Sequence, residues 1–476
     1  MGSRLRGNDT EDRALIIKIL INETTKYNFR LYNPLTQRIY KDDMTTHSGY
    51  TNSKAISLVC SLGLFLAGYI FYSSSLIESF YTSEFALSSW QTGITQSTVP
   101  LGAILGAILA GRLADVFGRN RILIWNFLLI YIFGLLNSLS FDFYSLCLVR
   151  FINGFLAGTL YPLCATYLIE MTPPHSHARK TAFLMFVNCL AAPAGCVIAI
   201  LLSLVCDEYI LWRLCAMAHG IPALFAFYWV KRLPESQAWT MIHKKSAHTT
   251  MSGLKFIFST QYKNITICLM AAWFLMDVAY YGINFFVPYL LQAMQVKTIV
   301  SNLNHHTLLS DATLWGTFII NIFFMLGALA AIFIVEKVNL LQLQKYGFLC
   351  ASLSLFSLAI YFHVGLHQIV IIILLFVIFN FAINLGPDVT TYLLSATSYP
   401  VEVRGSGHGF ISGFAKSGSF IGVLLLPKIQ DYWGYETVIL SLSVLLFAAY
   451  LFTLQFAKII LNESMNKEGH ISYETT

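Results

Sequence analysis

From residue 56 onward the chain alternates long apolar stretches with short polar connections, almost without pause. The stretches run roughly over 56–78, 92–112, 122–142, 145–169, 182–205, 209–230, 264–290, 312–335, 346–364, 368–397, 408–427 and 436–457. Each reaches or approaches the ~20 residues with which an α-helix crosses the hydrocarbon layer of a bilayer. Lipid offers no partner to backbone N–H and C=O groups, so the pattern predicts helices, twelve of them. The first 55 residues differ. They are polar and basic, with one short apolar run from Ala14 to Ile21 that Lys18 interrupts. That run is too short to span, and no small-residue cleavage site follows it. It reads as a tail, with Met44 an alternative start.

The connections are uneven. Residues 231–263, including Met241-Ile242-His243-Lys244-Lys245, form a long, basic, partly amphipathic linker between the sixth and seventh stretches. The expected organisation is a tail (1–55), an N-terminal six-helix bundle (56–230), the linker (231–263), a C-terminal six-helix bundle (264–458) and a short tail (459–476). Such a plan suggests two bundles related by internal repetition. With the first loop placed outside, the outer loops hold only Lys297 and Lys428, and nearly all other basic residues fall on the inner side. Both termini are therefore expected in the cytoplasm, with the protein in the cell membrane.

Composition sharpens this picture. Apolar residues make up 56% of the chain and charged residues only 11%, against about 25% charge in a soluble domain. Mean hydropathy is +0.64. An all-α integral membrane protein fits; nucleic-acid binding, disorder and a disulfide scaffold do not. The nine cysteines lie in or beside apolar runs without a C-x-x-C pair, which argues against zinc and against a disulfide framework. Neither a phosphate-binding glycine loop nor an H-E-x-x-H pair is present, so an enzyme, a cofactor and a metal are not expected.

Several motifs carry more specific information. The second-to-third connection reads Gly111-Arg112-Leu113-Ala114-Asp115-Val116-Phe117-Gly118-Arg119-Asn120-Arg121. It resembles the G-x-x-x-D-x-x-G-R-x-R signature of the major facilitator superfamily, in the loop where that signature belongs. Asp115 suits the positive end of another helix, and Arg119 suits a carboxylate at a helix end, with Glu170 the suggested partner. Glu170…Arg179 after the fourth span and Glu402…Arg404 after the tenth look like traces of the internal repeat. Leu233-Pro234-Glu235-Ser236, closing the sixth span, looks like the sugar-porter and phosphate-porter branch of the superfamily.

The second half resembles the phosphate:proton symporter family more closely. Trp273…Asp277…Tyr280-Tyr281-Gly282 is similar to its seventh span. Gly386-Pro387-Asp388-Val389-Thr390-Thr391-Tyr392 and Arg404-Gly405…Lys416-Ser417-Gly418 are similar to its tenth and eleventh spans. The resemblance covers about residues 56–458. It implies a monomeric secondary transporter working by alternating access, with a small polar or anionic solute and a coupling ion, H+, as partners. A solute-sensing relative that does not transport is the alternative. The resemblance puts Tyr161, in Gly158-Thr159-Leu160-Tyr161-Pro162, on a substrate-contacting tyrosine; Asn188 is a further candidate contact.

The residues make physical sense apart from the family. Trp273, Asp277 and Tyr281 are four apart and share one helix face. An ionisable residue in mid-span faces a polar cavity rather than lipid. Pro387 cannot donate to the carbonyl of Ile383, so the tenth span is expected to break there, beside Asp388 and Thr391. Lys416 is either a substrate contact or the counter-ion of a buried Asp. The expected arrangement pairs Lys416 with Asp388 and leaves Asp277 to meet the solute and exchange a proton. Arg150 and Arg213 read as structural anchors near span ends. Three departures from the family stand out: Ala67 and Ile70 replace acidic residues of its first span, Leu160 replaces an Asp of its fourth, and Asp388 replaces an asparagine.

Overall fold

The computed structural model describes residues 52–245, 253–293, 311–365 and 368–473. Most of the N-terminal tail and the loop around Lys297 lie outside these residues. The described chain is helical throughout, without a strand. The N-terminal half contains α1 (Ser53–Leu76), the short α2 (Glu78–Glu84), α3 (Ser89–Phe117), α4 (Arg119–Asn137), α5 (Phe143–Glu170), α6 (His177–Ser203), α7 (Glu208–Met217) and α8 (Gly220–Val230). Two linker helices, α9 (Gln237–Lys245) and α10 (Gly253–Ile257), precede the second half. There follow α11 (Lys263–Ala293), α12 (Asp311–Ile334), α13 (Leu340–His363), α14 (Ile369–Leu385), α15 (Pro387–Thr397) and α16 (Arg404–Tyr473).

Local chemistry explains the boundaries. Ser88 and Asp142 begin α3 and α5 with reciprocal side-chain caps to Gln91 and Ser145. The tenth span breaks as Pro387 requires: Gly386 leaves helical geometry and Pro387 opens α15. The last helix turns at Gly434, whose φ of 79° suits a residue without a Cβ.

Among the described residues, eleven stretches are long and apolar enough to cross a membrane. The first part of α16, with Arg404, His408 and Lys416 among serines and glycines, is less apolar and is not one of them. With it, twelve membrane-length helical segments, six in each half, lie among the described residues, consistent with the sequence pattern.

Side-chain size is sorted as lipid solvent demands. On α3, Leu101, Leu105, Leu109 and Leu113 face outward while Ala103, Ala107, Ala110 and Ala114 are buried. Large apolar groups lose nothing against lipid tails, and small ones let helix backbones approach. Within the N-terminal half α3 packs on α5, and α1 on α5 and α6. Within the C-terminal half α11 and α13 pack on α16, and α12 and α13 on α14. The halves meet chiefly where α3 lies along α16 and α6 along α12.

Candidate functional site

Two polar constellations lie where the halves meet. The first is built on the Gly111–Arg121 segment. Asp115, at the end of α3, accepts hydrogen bonds from the backbone N–H groups of Gly405 (3.1 Å) and Ser406 (2.7 Å) and from the Ser406 hydroxyl (2.7 Å). The N-terminus of α16 offers unpaired N–H groups and a positive dipole end, which is why a carboxylate settles there. Backbones must nearly touch for this: a Cβ on Gly111 would lie 2.2 Å from the carbonyl oxygen of Gly405.

Arg119 is fully buried. Its Nη2 donates to Glu170 (3.0 Å), Asp115 (3.1 Å) and the carbonyl of Val401 (3.1 Å), the last across the halves. Arg404 lies 3.8 Å from Glu170, whose other oxygen accepts from Ser236. Glu235 caps α4, accepting from the N–H groups of Arg119, Asn120 and Arg121 at 2.8–3.3 Å. Gly118 makes room for that carboxylate with a φ of 101°; a Cβ there would sit 2.4 Å from it. The Arg121 side chain is exposed and stands apart from the buried network. The indole of Trp239, from the linker, donates to the Asp115 carbonyl at 2.8 Å.

The second constellation surrounds Lys416. Its Nζ donates to Asp277 Oδ2 and to the Tyr281 hydroxyl, each at 3.0 Å. Ser419 donates to the same Asp277 oxygen at 3.0 Å. Three rings surround the ammonium, with centroids at 4.4 Å (Tyr281), 4.5 Å (Tyr161) and 5.4 Å (Phe71), so the cation is held by π faces as well as by the carboxylate. Phe71 and Tyr161 belong to the N-terminal half and the remainder to the C-terminal half. Trp273 packs against Tyr392 and His408, and Tyr392 donates to the carbonyl of Tyr161 at 2.8 Å.

The Lys416–Asp388 pair expected from the sequence is not formed; Lys416 takes Asp277. The reason lies in packing. A Cβ on Gly418 would lie 2.4 Å from the carbonyl oxygen of Phe274, so α16 and α11 run in near contact and put residues 277 and 416 side by side. Asp388 sits on α15, beyond the Pro387 break, and its Oδ2 is buried with no hydrogen-bond partner among the described residues. Thr391 donates to the carbonyl of Pro387 within its own helix, and Asn188 donates to the carbonyl of Leu64, 2.7 Å away. The first bond is internal to α15, and the second ties α6 to α1.

A second phenol chain had no signature in the sequence. Tyr72 and Tyr280 share a hydrogen bond at 2.8 Å, and Tyr280 and Cys189 both point to Asn384 Oδ1 at 3.3 Å. Tyr280 neighbours Tyr281 in the quoted motif, but nothing in the order of residues sets Tyr72 opposite it. Ala67, Ile70 and Leu160 are buried and apolar, so the N-terminal half gives the cluster aromatic rings without a carboxylate at those positions.

The comparisons agree with this architecture. The chain is 24% identical over 425 residues to a putative inorganic phosphate transporter 1-13 of Oryza sativa subsp. japonica, covering 77% of this chain and 81% of that one. It is 26% identical over 419 residues to the putative metabolite transport protein YyaJ of Bacillus subtilis, covering 79% and 87%. The solved proton:xylose symporter XylE, bound to 6-bromo-6-deoxy-D-glucose, superposes with a TM-score of 0.72 at 20% identity, over 86% of this chain and 96% of that one. With the Major Facilitator Superfamily model matching residues 59–423, the chain belongs to that superfamily.

Proposed function

We propose that the protein is a secondary active transporter that moves a small polar solute by alternating access, coupled to protons. One observation carries this reading: a buried charge pair, Lys416–Asp277, is ringed by aromatic side chains of both halves, and a second carboxylate, Asp388, has an oxygen, Oδ2, with no hydrogen-bond partner among the described residues. An isolated charge in mid-membrane is costly, and such residues mark substrate and ion pathways. Relatives named as phosphate transporters and a structural neighbour named as a proton:xylose symporter support the same class.

The division of labour follows from the hydrogen bonds. Asp277 is held by Lys416 and Ser419, and losing its charge strands a buried ammonium. Asp388 Oδ2 accepts no hydrogen bond among the described residues, so protonation relieves its desolvation cost. Asp388 is the proton carrier in this scheme. Lys416, with Tyr161, Tyr281 and Phe71 around it, supplies the polar and aromatic wall that meets the solute, and Trp273 stands one turn from Asp277 on the same helix. Loading Asp388 leaves the three charged groups with no net charge and favours closure; unloading returns the charge and favours opening. The Asp115–Arg119–Glu170–Arg404 network is the gate on the cytoplasmic side, and both termini share that side. The protein acts as a monomer in the cell membrane.

Reconstitution into liposomes tests the scheme. A panel of phosphate, sulfate, sugars and organic acids is first screened by thermal shift, since a solute bound to the folded state raises its apparent stability. For the solute so identified, Asp388→Asn abolishes accumulation driven by a pH gradient and leaves counterflow exchange intact. Accumulation that keeps its pH dependence in Asp388→Asn removes the carrier role. Binding without uptake by the native protein would instead identify a sensor.

A further inference from the structure

A second polar pocket lies within the N-terminal half, at the opposite end of α3 and α5 from the Asp115 network. Ser73, Asn137, Arg150, Asn153 and His219 line it, and Ile70, Ile77 and Val99 close it. None of the five polar residues is more than 9% exposed. Arg150 Nε, Asn137 Oδ1, Asn153 Oδ1 and both ring nitrogens of His219 have no hydrogen-bond partner among the described residues. The other end of Arg150 is accounted for. Its Nη2 donates to Gln96 Oε1 at 3.0 Å, the Gln96 amide donates to Glu78 at 2.6 Å, and the guanidinium lies 5.2 Å from the centre of the Tyr81 ring.

Leaving a buried polar atom unsatisfied is costly, and here four residues that line one space carry five such atoms. They form a mixed set. Arg150 Nε–H donates, the two asparagine oxygens accept, and a neutral imidazole does one of each. An anion would repel the asparagine oxygens, and a metal cation would face the guanidinium. Water, which donates twice and accepts twice, suits both kinds of neighbour. The space is of matching size: it encloses about 10 Å³, close to the smallest cavity that holds one water and too small for a transported solute.

We propose that this pocket is a built water site, in which one ordered water bridges Arg150 and His219 to Asn137 and Asn153. The water joins α4, α5 and the α7–α8 junction. It completes the solvation of a guanidinium whose other end is held by Gln96. The site is separate from the Lys416 cluster and stands whether or not the transport scheme above holds.

Two measurements test it on the full chain in lipid. A structure at a resolution that shows waters has a density peak within about 3.2 Å of both Arg150 Nε and a His219 ring nitrogen. His219→Phe supplies the second test through the sign of its effect. In a dry pocket the phenyl ring removes two unsatisfied nitrogens, and the melting temperature rises. In a wet one the ring displaces the water, strands Arg150 Nε and two asparagine oxygens, and lowers the melting temperature by several degrees. The proposal expects the peak and the fall. An empty pocket overturns it whatever the melting result, and so does a rise or no change in His219→Phe.

Discussion

At the scale of single residues, the pairing of Lys416 decides most of the chemistry. Removing one partner of a buried ion pair costs about 3–5 kcal/mol because the other charge is left uncompensated, whereas replacing both with apolar groups is often neutral. Asp277→Asn should therefore lower thermal stability strongly, and the double variant Asp277→Asn/Lys416→Met should regain much of it. A double variant no more stable than the single one would show that the pair is not the unit. Glu78 makes a different prediction, at the far end of the N-terminal half. Burial pushes its carboxyl up to about 7, against the Gln96 bond and the Arg150 charge, which pull it down. The folded state thus keeps a proton that the unfolded chain releases near pH 4.5. Stability should fall as pH rises from about 4.5 to about 7 and level off above that. Glu78→Gln should flatten this slope and raise the melting temperature at pH 8; melts at pH 5 and pH 8 compare the two. Asp277, Asp388 and Lys416 were all recognisable in the sequence as charges within apolar runs. Their partners were not, because a one-turn difference in helix register or a closer approach at Gly418 redirects a side chain without altering the motif.

At the scale of elements, the junction of α3 with α16 concentrates the contacts between halves. The glycine pattern of the Gly111–Arg121 segment made a tight helix crossing legible, and it pointed to Asp115 and Arg119 as the residues at the crossing. It did not show that Glu235 caps α4, or that Trp239 reaches the Asp115 carbonyl from the linker, since both arrive from more than a hundred residues away. Asp115→Asn removes the negative charge facing the N-terminus of α16 and weakens three hydrogen bonds to Gly405 and Ser406. The expected outcome is a shift of population toward the state open on this side, with solute affinity changed by no more than a few-fold. Distances between spin labels on the ends of α3 and α16 measure it. An unchanged distance distribution would remove the gating role of this carboxylate.

At the scale of the whole molecule, the apolar periodicity by itself determined that the chain is helical, crosses a membrane and is divided by a long polar linker. Those properties follow from transfer of residues between water and lipid, which each segment settles for itself with little reference to its neighbours. The break at Pro387 belongs to the same class, because a missing N–H acts within one helix. Which side chains meet between segments was decided only by the tertiary structure. Lys416 hydrogen-bonds Asp277 and not Asp388; Tyr72 finds Tyr280; Arg150, Asn137, Asn153 and His219 close on one small space. Each of these meetings depends on the rotation and axial offset of helices packed through glycines and alanines, where a shift of one residue turns a side chain by about 100°. Hydropathy is blind to that rotation. Close packing of the folded bundles supplies it.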